Sequence, residues 1–366
     1  MIIITLPFIL FSWFIIYFST ASWHLLIARF LLGLLTGFLS DPAVSYVSEM
    51  SQEHIRGRLV STIDVNRVFG VLFVFVVGSS FKWRELALYC GLASTIPVLI
   101  GFLYLPSSFR WLITKGRQEE ALESLKFFRK TSEKELLAEF NQTIDNTQNE
   151  TTSFIKQFKL LSKVSNIKRL MVVSLISCFT QFSGLSLMIN YSTLIMNTAF
   201  ENFIDEYFGS MILGFTRLFS IILFMFIVES FKRKSLYFAS FLISAASMAC
   251  LGIFYTLFLY DIKYSLFIPF GVLVAFELAI SMCDSVISLL RCEVTPHSIR
   301  ALGMSISMIF FCIGGFIAVK SFPIMIGSFI GLNGAFFIYS FFCALMAFLI
   351  RFTIPETKGK VLEDIE

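Results

Sequence analysis

The chain has 366 residues, of which 57% are hydrophobic and only 15% are charged, and its formal net charge is +4. Soluble globular proteins carry about 25% charged residues, and a water-facing surface does not accommodate the 45 phenylalanines of this chain. The composition therefore excludes an ordinary soluble domain and predicts an integral membrane protein. The small positive charge gives no indication of a nucleic-acid partner.

Ten apolar runs are long enough to form membrane-spanning helices, each of which needs roughly 20 residues. Four precede a long polar stretch and six follow it, so we predict an all-α polytopic protein. The predicted parts are an N-terminal bundle (1–105), a helical linker (106–168), a C-terminal bundle (169–354) and a tail (355–366). The ten runs cover about residues 2–19, 24–47, 60–80, 86–105, 169–198, 208–228, 235–258, 264–290, 301–322 and 328–351.

The basic residues predict the orientation of these spans. Of the 29 Lys and Arg residues, 22 lie in the linker, in the tail or in alternate loops, whereas the opposite loops hold only Lys82, Arg84 and Lys263. By the positive-inside rule, the linker and the C-terminal tail are therefore cytoplasmic.

A short sequence motif, the repeated phrase, occurs in the N-terminal bundle and again in the C-terminal bundle. Six residues separate Glu49 from Arg56, and six separate Glu293 from Arg300. A weak repeat between two apolar halves is typical of transporters formed by duplication. The phrase follows the second span of the first bundle but the fourth span of the second. We therefore expect two further spans before residue 1, twelve in all; the alternative is a ten-span protein.

The linker predicts at least one amphipathic helix. Over residues 115–129, Ala121, Leu122 and Leu125 recur at helical spacing. A second short helix is predicted over residues 132–140. These helices would connect the two bundles.

Cysteine and histidine give no indication of a reactive or metal-binding centre. The seven cysteines lie in or beside the apolar runs, which favours small buried hydrophobic side chains over a disulfide framework. The three histidines are scattered, so we expect no metal site. The sequence has no phosphate loop, nucleotide fingerprint or catalytic triad, and we predict neither a cofactor nor an enzyme.

Six short motifs occur along the chain in a characteristic order. They are Arg29-Phe30-x-x-Gly33-x-x-x-Gly37, Trp83-Arg84, Pro106 to Leu112, Gln181-Phe182-Ser183-Gly184, Val228-Glu229 with Arg233, and Pro355 to Lys360. Together they resemble the sugar porter family of the major facilitator superfamily, which includes facilitated trehalose and glucose transporters. The resemblance covers essentially the whole chain. It implies the major facilitator fold and facilitated diffusion of a hexose or trehalose-like sugar by alternating access.

The resemblance also implies a lattice of gating charges at the cytoplasmic ends of the helices. Exposed acid–base pairs contribute about 1 kcal/mol or less each, so they hold a gate shut while leaving the two states nearly balanced. The alternative is that these residues are ordinary interfacial charges. In the motif from Pro106 to Leu112, the chain departs from the family pattern at Ser107 and Phe109. The lattice therefore has one acidic residue fewer than the resemblance implies. The lattice residues are Glu49, Arg56, Arg110, Glu229, Arg233, Glu293, Arg300 and Glu356.

The sugar-binding side chains that the resemblance implies are only partly retained. Gln181 and Tyr191 are kept, whereas three other positions now carry the charged side chains of Asp64, Arg217 and Asp284. We predict that the substrate pathway includes Gln181, Ser186, Asn190, Tyr191, Asp64, Asp284 and Arg217.

Charges inside the spans require partners, because each costs at least about 2.5–3.5 kcal/mol at a helix centre. Glu277 and Asp284 are seven residues apart and share a face of their helix. Arg217 is predicted to meet Asp284 within the C-terminal bundle, and Asp64 to pair with Arg67 one turn away. These charged residues have two interpretations. They form a site for a charged solute or for protons bound at a carboxylate, or they are paired charges in a sugar site that has lost its function.

Three functions therefore remain open. The main interpretation is a sugar transporter; the first alternative is a carrier of charged organic solutes, with proton coupling. The second alternative is a non-transporting relative that acts as a sensor or partner protein. In each case we expect a multi-pass monomer of the plasma membrane, whose partners are a small solute and the lipid bilayer.

Overall fold

The structure is a computed structural model that describes most of the chain. The described residues are 2–51, 53–129, 136–137, 140–141, 143–144, 164–200, 204–227, 231–259, 266–294 and 300–353. Throughout these residues the regular secondary structure is helical, with no strand. The predicted all-α class is confirmed.

The helices follow the predicted apolar runs closely, and all ten runs contain a helix. In the first part of the chain they are α1 (Ile2–Tyr17), α2 (Ser22–Met50), α3 (Glu53–Gly78), α4 (Trp83–Tyr104), α5 (Phe109–Thr114) and α6 (Gln118–Phe128). In the second part they are α7 (Val164–Thr180), a π-helical segment (Gln181–Leu185), α8 (Ser186–Ala199), α9 (Glu206–Ile227), α10 (Arg233–Leu259), α11 (Phe267–Val294), α12 (Arg300–Ile326) and α13 (Gly331–Thr353).

Seven segments among the described residues are long and apolar enough to cross a membrane. They lie in α2, in α7 continued through α8, and in α9 to α13. The remaining predicted spans, over α1, α3 and α4, are helical but are not among these seven. These segments confirm a polytopic membrane protein.

Several helices extend beyond the predicted spans, and in α2 and α11 the extension contains the start of the repeated phrase. α2 continues to Met50 and α11 to Val294, so Glu49 and Glu293 each lie in the last turn of a long helix. Arg56 lies near the start of α3, and Arg300 is the first residue of α12. The first and last residues of each copy of the phrase therefore lie at corresponding helix ends.

The chain forms two compact units, of which the first comprises Met1–Arg67 and Val76–Thr152. In this unit α1 packs against α2 and α4, around a small core that includes Ile9, Ala28 and Ala87. The linker helices α5 and α6 belong to the same unit. Ala121 and Leu125 of α6 are fully buried, which confirms the predicted amphipathic helix over a shorter range. Described residues of the predicted second helix, such as Phe140, are also helical.

The second unit comprises Val68–Phe75 and Ser153–Glu366, and it contains the larger core. α10 packs along α11 and α13. α7 and α12 approach so closely that a Cβ atom added at Gly314 would lie 2.5 Å from the carbonyl oxygen of Cys178. Glycine is thus required at this crossing, because a larger residue would push the two backbones apart.

Candidate functional site

A π-helical segment interrupts the long apolar helix formed by α7 and α8. It coincides with the Gln-Phe-Ser-Gly motif, and Gly184 has a positive φ of 92°. Glycine adopts this backbone conformation readily, whereas residues with a Cβ are strained in it. Single-turn π segments occur frequently at functional sites. The motif is therefore a local break in the helix rather than a regular turn.

The polar side chains around the break are linked by hydrogen bonds. Gln181 is buried, and its Oε1 accepts a hydrogen bond from the hydroxyl of Ser186. The side-chain amide of Asn190 donates to the carbonyl oxygen of Ser186 at 2.8 Å. Gly315 of α12 faces Gln181, and a Cβ added at Gly315 would be 3.5 Å from Gln181 Cδ.

Tyr191 completes this group on the same helix. Its hydroxyl donates to the carbonyl oxygen of Val319 at 3.1 Å, and its ring centroid lies 5.1 Å from that of Phe322. Four predicted pathway residues thus lie within one continuous stretch, 181–191. They present uncharged donors and acceptors beside aromatic rings.

A buried ion cluster lies in the same unit, between α9 and α11. Arg217 is near the middle of the 22-residue α9. Its Nη1 is 3.1 Å from Glu277 Oε1, and its Nη2 is 3.5 Å from Asp284 Oδ2. The exposed fractions of the three side chains are 2%, 2% and 5%. Arg217, Glu277 and Asp284 form what we call the charged triad.

Further contacts fix the charged triad between its two helices. Ser220 of α9 donates to the carbonyl oxygen of Leu278 at 2.7 Å. The hydroxyl of Ser281 donates to the carbonyl oxygen of Glu277 at 2.6 Å and lies 3.3 Å from Glu277 Oε1. Because paired charges in a low-dielectric interior are stable only with good geometry, these contacts are integral to the cluster.

The polar break and the charged triad are neighbours in the packing of the second unit. A Cβ added at Gly184 would lie 3.1 Å from Phe276 Cζ, and Phe276 directly precedes Glu277 in α11. The thiol of Cys343 donates to the carbonyl oxygen of Ser183 at 3.2 Å. The π-helical segment therefore rests against the helix that carries both acids.

The predicted contact between Arg217 and Asp284 is confirmed, and so is the pairing of Asp64 with Arg67. Asp64 and Arg67 lie in α3, are each about 40% exposed and are separated by 3.6 Å. The sequence interpretation missed Glu277 as the nearer partner of Arg217. The seven-residue spacing of the two acids was the feature from which this partner could have been found.

Of the predicted gating residues, Glu49 and Arg110 have described side chains. Glu49 accepts a hydrogen bond from the hydroxyl of Ser108. Ser108 also caps α5 by accepting from the backbone N–H of Trp111 at 3.4 Å. Arg110 is exposed. The serine of the Pro106–Leu112 motif thus connects the linker to the end of α2.

The other gating residues are described only in part or not at all. Arg56, Arg233, Glu293 and Arg300 occupy helical positions, but their side chains lie outside the described set. Glu229 and Glu356 lie outside the described residues altogether.

Arg129 is a further anchor of the linker that the sequence interpretation did not identify. Its side chain is 8% exposed and donates to the carbonyl oxygens of Met50 at 2.9 Å and Ser51 at 3.5 Å. The carbonyl groups at the end of a helix have no partner within the helix and carry partial negative charge. Arg129 therefore binds the C-terminal end of α2.

Arg129→Ala is expected to lower the free energy of unfolding by about 2 kcal/mol, because hydrogen bonds from a buried charge are worth about 1.5–3 kcal/mol. Thermal unfolding of the purified protein measures the effect. Arg117→Ala is the matched control: its ion pair with Glu120 is about half exposed, and such pairs contribute about 0.5 kcal/mol. Equal losses for both variants would contradict the anchoring role.

Comparison with known proteins defines the class and then the family. The fold is that of the major facilitator superfamily. The proton:xylose symporter XylE bound to 6-bromo-6-deoxy-D-glucose aligns with a TM-score of 0.74 at 22% identity, over 100% of this chain and 82% of that one. Inward-open XylE from E. coli gives a TM-score of 0.79 at 21% identity, over 99% and 81%.

The family follows from the sequence. The family model described as "Sugar (and other) transporter" matches residues 1–366, and the chain belongs to this family. It is 29% identical over 347 residues to the facilitated trehalose transporter Tret1 of Drosophila yakuba, covering 93% of this chain and 40% of that protein. It is 29% identical over 369 residues to Tret1 of Polypedilum vanderplanki, covering 98% and 71%.

Proposed function

We propose that this chain is a sugar transporter that moves a hexose or trehalose-like sugar by facilitated diffusion through alternating access. The observation that carries the proposal is the hydrogen-bonded group around Gln181, Ser186 and Asn190 at the helix break. A sugar presents many hydroxyl groups, each of which both donates and accepts, and amide and hydroxyl side chains match them without a charge. The relatives named above are trehalose transporters.

The orientation and location belong to the same proposal. We infer that the linker and the C-terminal tail are cytoplasmic, that the protein resides in the plasma membrane and that it acts as a monomer. The bias of 22 out of 29 basic residues toward one set of loops supports this orientation. We also assign the gate to charged residues at the helix ends. They include the two copies of the repeated phrase, Glu49–Arg56 and Glu293–Arg300.

Uptake of radiolabelled trehalose and glucose into vesicles containing the purified protein tests the proposal. We expect saturable uptake and counterflow for at least one of the two sugars. Gln181→Ala removes a buried acceptor and is expected to raise KM about tenfold, since about 1.4 kcal/mol corresponds to a factor of ten. Gln118→Ala at the exposed start of α6 is the control. The absence of flux for both sugars would contradict the proposal.

A second candidate, a carrier of charged organic solutes, is favoured by one specific observation. Arg217 takes one of the positions at which the resemblance implies a sugar-binding side chain, and it lies buried within the charged triad. Uptake of organic anions and cations in the same vesicles, with no flux of either sugar, would favour this candidate. Binding of a sugar without flux would favour a sensor instead.

A further inference from the structure

Basic and aromatic side chains meet at one end of the second unit, where α10 begins and α13 ends. The two helices run antiparallel, since Ser340 donates to the carbonyl oxygen of Ala245 at 2.7 Å. Nearer this end, the guanidinium group of Arg351 lies 5.8 Å from the ring centroid of Phe238. The ring of Phe348 also packs against Phe238, with the two centroids 6.3 Å apart. The start of α10 and the end of α13 are therefore neighbours.

Three cations belong to this end of the helix pair. Lys232 directly precedes α10, Lys234 is the second residue of α10, and Arg351 lies in the last turn of α13. Lys232 and Arg351 are exposed, and Lys234 is half-buried. Among the described residues, no acid forms an ion pair with any of the three. We call Lys232, Lys234 and Arg351 the basic patch.

The basic patch lies at the ends of two membrane-spanning segments. These segments run over Lys234–Leu257 and Gly331–Phe352. Residues 228–234 contain three bases and one acid, a net charge of +2, and Arg351 adds one further positive charge. A cluster of one sign of charge creates a potential that attracts ions of the opposite sign. This end of the second unit therefore attracts anions at the surface of the membrane.

Exposed aromatic side chains adjoin the basic patch. Phe231 directly precedes Lys232 and is 58% exposed. Phe348 and Phe352 are four residues apart on one face of α13 and are 52% and 82% exposed. Large apolar side chains on the outside of a membrane protein contact lipid chains rather than water. Charged and apolar surfaces thus adjoin in the same order as the headgroup and the acyl chains of a phospholipid.

Phe238 holds a cation in position for an anionic group. A guanidinium within about 6 Å of an aromatic ring is attracted by the electrons of the ring face, and Arg351 meets this condition. Lys234 is four residues before Phe238 and shares its face of α10. The planar guanidinium of arginine matches two oxygens of a phosphate, whereas the ammonium of lysine acts as a point charge. The two cations are therefore suited to one phosphate group.

We propose that the basic patch binds the headgroup of an anionic phospholipid, with the phosphate at Lys234 and Arg351 and the acyl chains along Phe348 and Phe352. Anionic lipids give the cytoplasmic leaflet its negative surface potential, and basic clusters beside membrane helices bind them. A zwitterionic lipid gains less, because its headgroup has no net charge. The site is independent of sugar transport. Only its assignment to the cytoplasmic leaflet rests on the proposed orientation.

Thermal unfolding of the purified full chain in mixed micelles of detergent and lipid tests the site. Phosphatidylserine is expected to raise the unfolding temperature, because a ligand that binds only the folded state stabilises it. Phosphatidylcholine is expected to have a much smaller effect. Free phosphoserine carries the charges of the headgroup but no acyl chains, and we expect no shift with it. A shift with phosphoserine as large as that with phosphatidylserine would overturn the assignment to a lipid.

A double variant measures the contribution of the basic patch. In Lys234→Gln, Arg351→Gln, the half-maximal concentration of phosphatidylserine is expected to rise about tenfold or more, since each basic residue near an anionic surface contributes a factor of about five. Lys115→Gln, Lys126→Gln is the matched control, because it removes two exposed cations of the linker, and we expect the wild-type response. Equal weakening in both double variants, or an equal response of the wild type to both phospholipids, overturns the proposal.

Photocrosslinking of the wild-type protein gives a second test that needs no variant. With phosphatidylserine that carries a photoreactive group in an acyl chain, we expect crosslinks at Phe348 or Phe352. Crosslinks confined to other helices overturn the site. The micelles contain neither sugar nor separate leaflets, so a failure of sugar transport or of the proposed orientation would leave these results unchanged.

Discussion

Arg217→Met is expected to cause the largest loss of stability of any single substitution considered for this protein. Methionine fills much of the same space but carries no charge, so Glu277 and Asp284 would remain buried without the cation that both face at 3.1 and 3.5 Å. Removal of one partner from a buried ion cluster costs about 3–5 kcal/mol. We expect a sharp fall in the yield of monodisperse protein and in its unfolding temperature in detergent.

The size of this loss depends on the charges that are left behind, and this can be tested. The triple variant Arg217→Met, Glu277→Gln, Asp284→Asn removes all three charges and is expected to recover most of the lost stability, because replacing a whole buried ion cluster by neutral groups is often close to neutral. Lys320→Met, at an exposed cation of α12, is the control for loss of one positive charge. A triple variant as unstable as Arg217→Met would show that packing, not charge, is decisive.

The helices were predictable because a membrane span needs a long run of apolar residues and little else. The ends were less predictable, since hydropathy falls where the helix leaves the lipid although the backbone hydrogen bonds continue. α2 therefore extends beyond the predicted residue 47 to Met50. Glu49, in that added turn, lies on the helix and not in the loop that follows it.

The candidate site was predictable wherever the cost of a buried charge forces a partner. The contact of Arg217 with Asp284 follows from that cost alone, since few cations were available within the C-terminal bundle. The seven-residue spacing indicates that Glu277 shares a helix face with Asp284, but which of the two acids lies nearer to Arg217 depends on the rotation of α11 relative to α9, which the sequence does not specify. The same holds for Arg129, which binds carbonyl oxygens of α2 far away in sequence.

Neutral hydrogen-bonding groups were the least predictable part of the site. The charge lattice implied by the resemblance considered only acids and bases around Glu49, whereas the structure pairs this residue with the hydroxyl of Ser108. The pattern of charges in the sequence gives no indication of a contact made by a neutral hydroxyl. Which residue the hydroxyl of Ser108 contacts also depends on where α5 begins. The π-helical segment was likewise visible only as a motif with a glycine, since helical periodicity does not reveal a positive φ.

Gly184→Ala is expected to disrupt the polar break and so to affect both stability and transport. An alanine at a φ of 92° is strained by about 1–2 kcal/mol, and its Cβ would lie 3.1 Å from Phe276 Cζ and 3.4 Å from Met248 Cε. Together these effects are expected to lower the free energy of unfolding by about 2–3 kcal/mol. Because the segment positions Gln181 and Ser186, sugar uptake is also expected to fall about tenfold or more.

Gly271→Ala provides the matched control, since Gly271 lies within α11 and an added Cβ would meet no atom within 4 Å. Alanine in a helix interior is favoured over glycine by about 0.5–1 kcal/mol, so this variant is expected to be as stable as the wild type or slightly more stable. Thermal unfolding and uptake measured on both variants separate the two positions. If Gly184→Ala unfolded at the wild-type temperature and kept wild-type uptake, the helix would accept a regular turn at residue 184, and the broken helix would not be needed to hold the polar group.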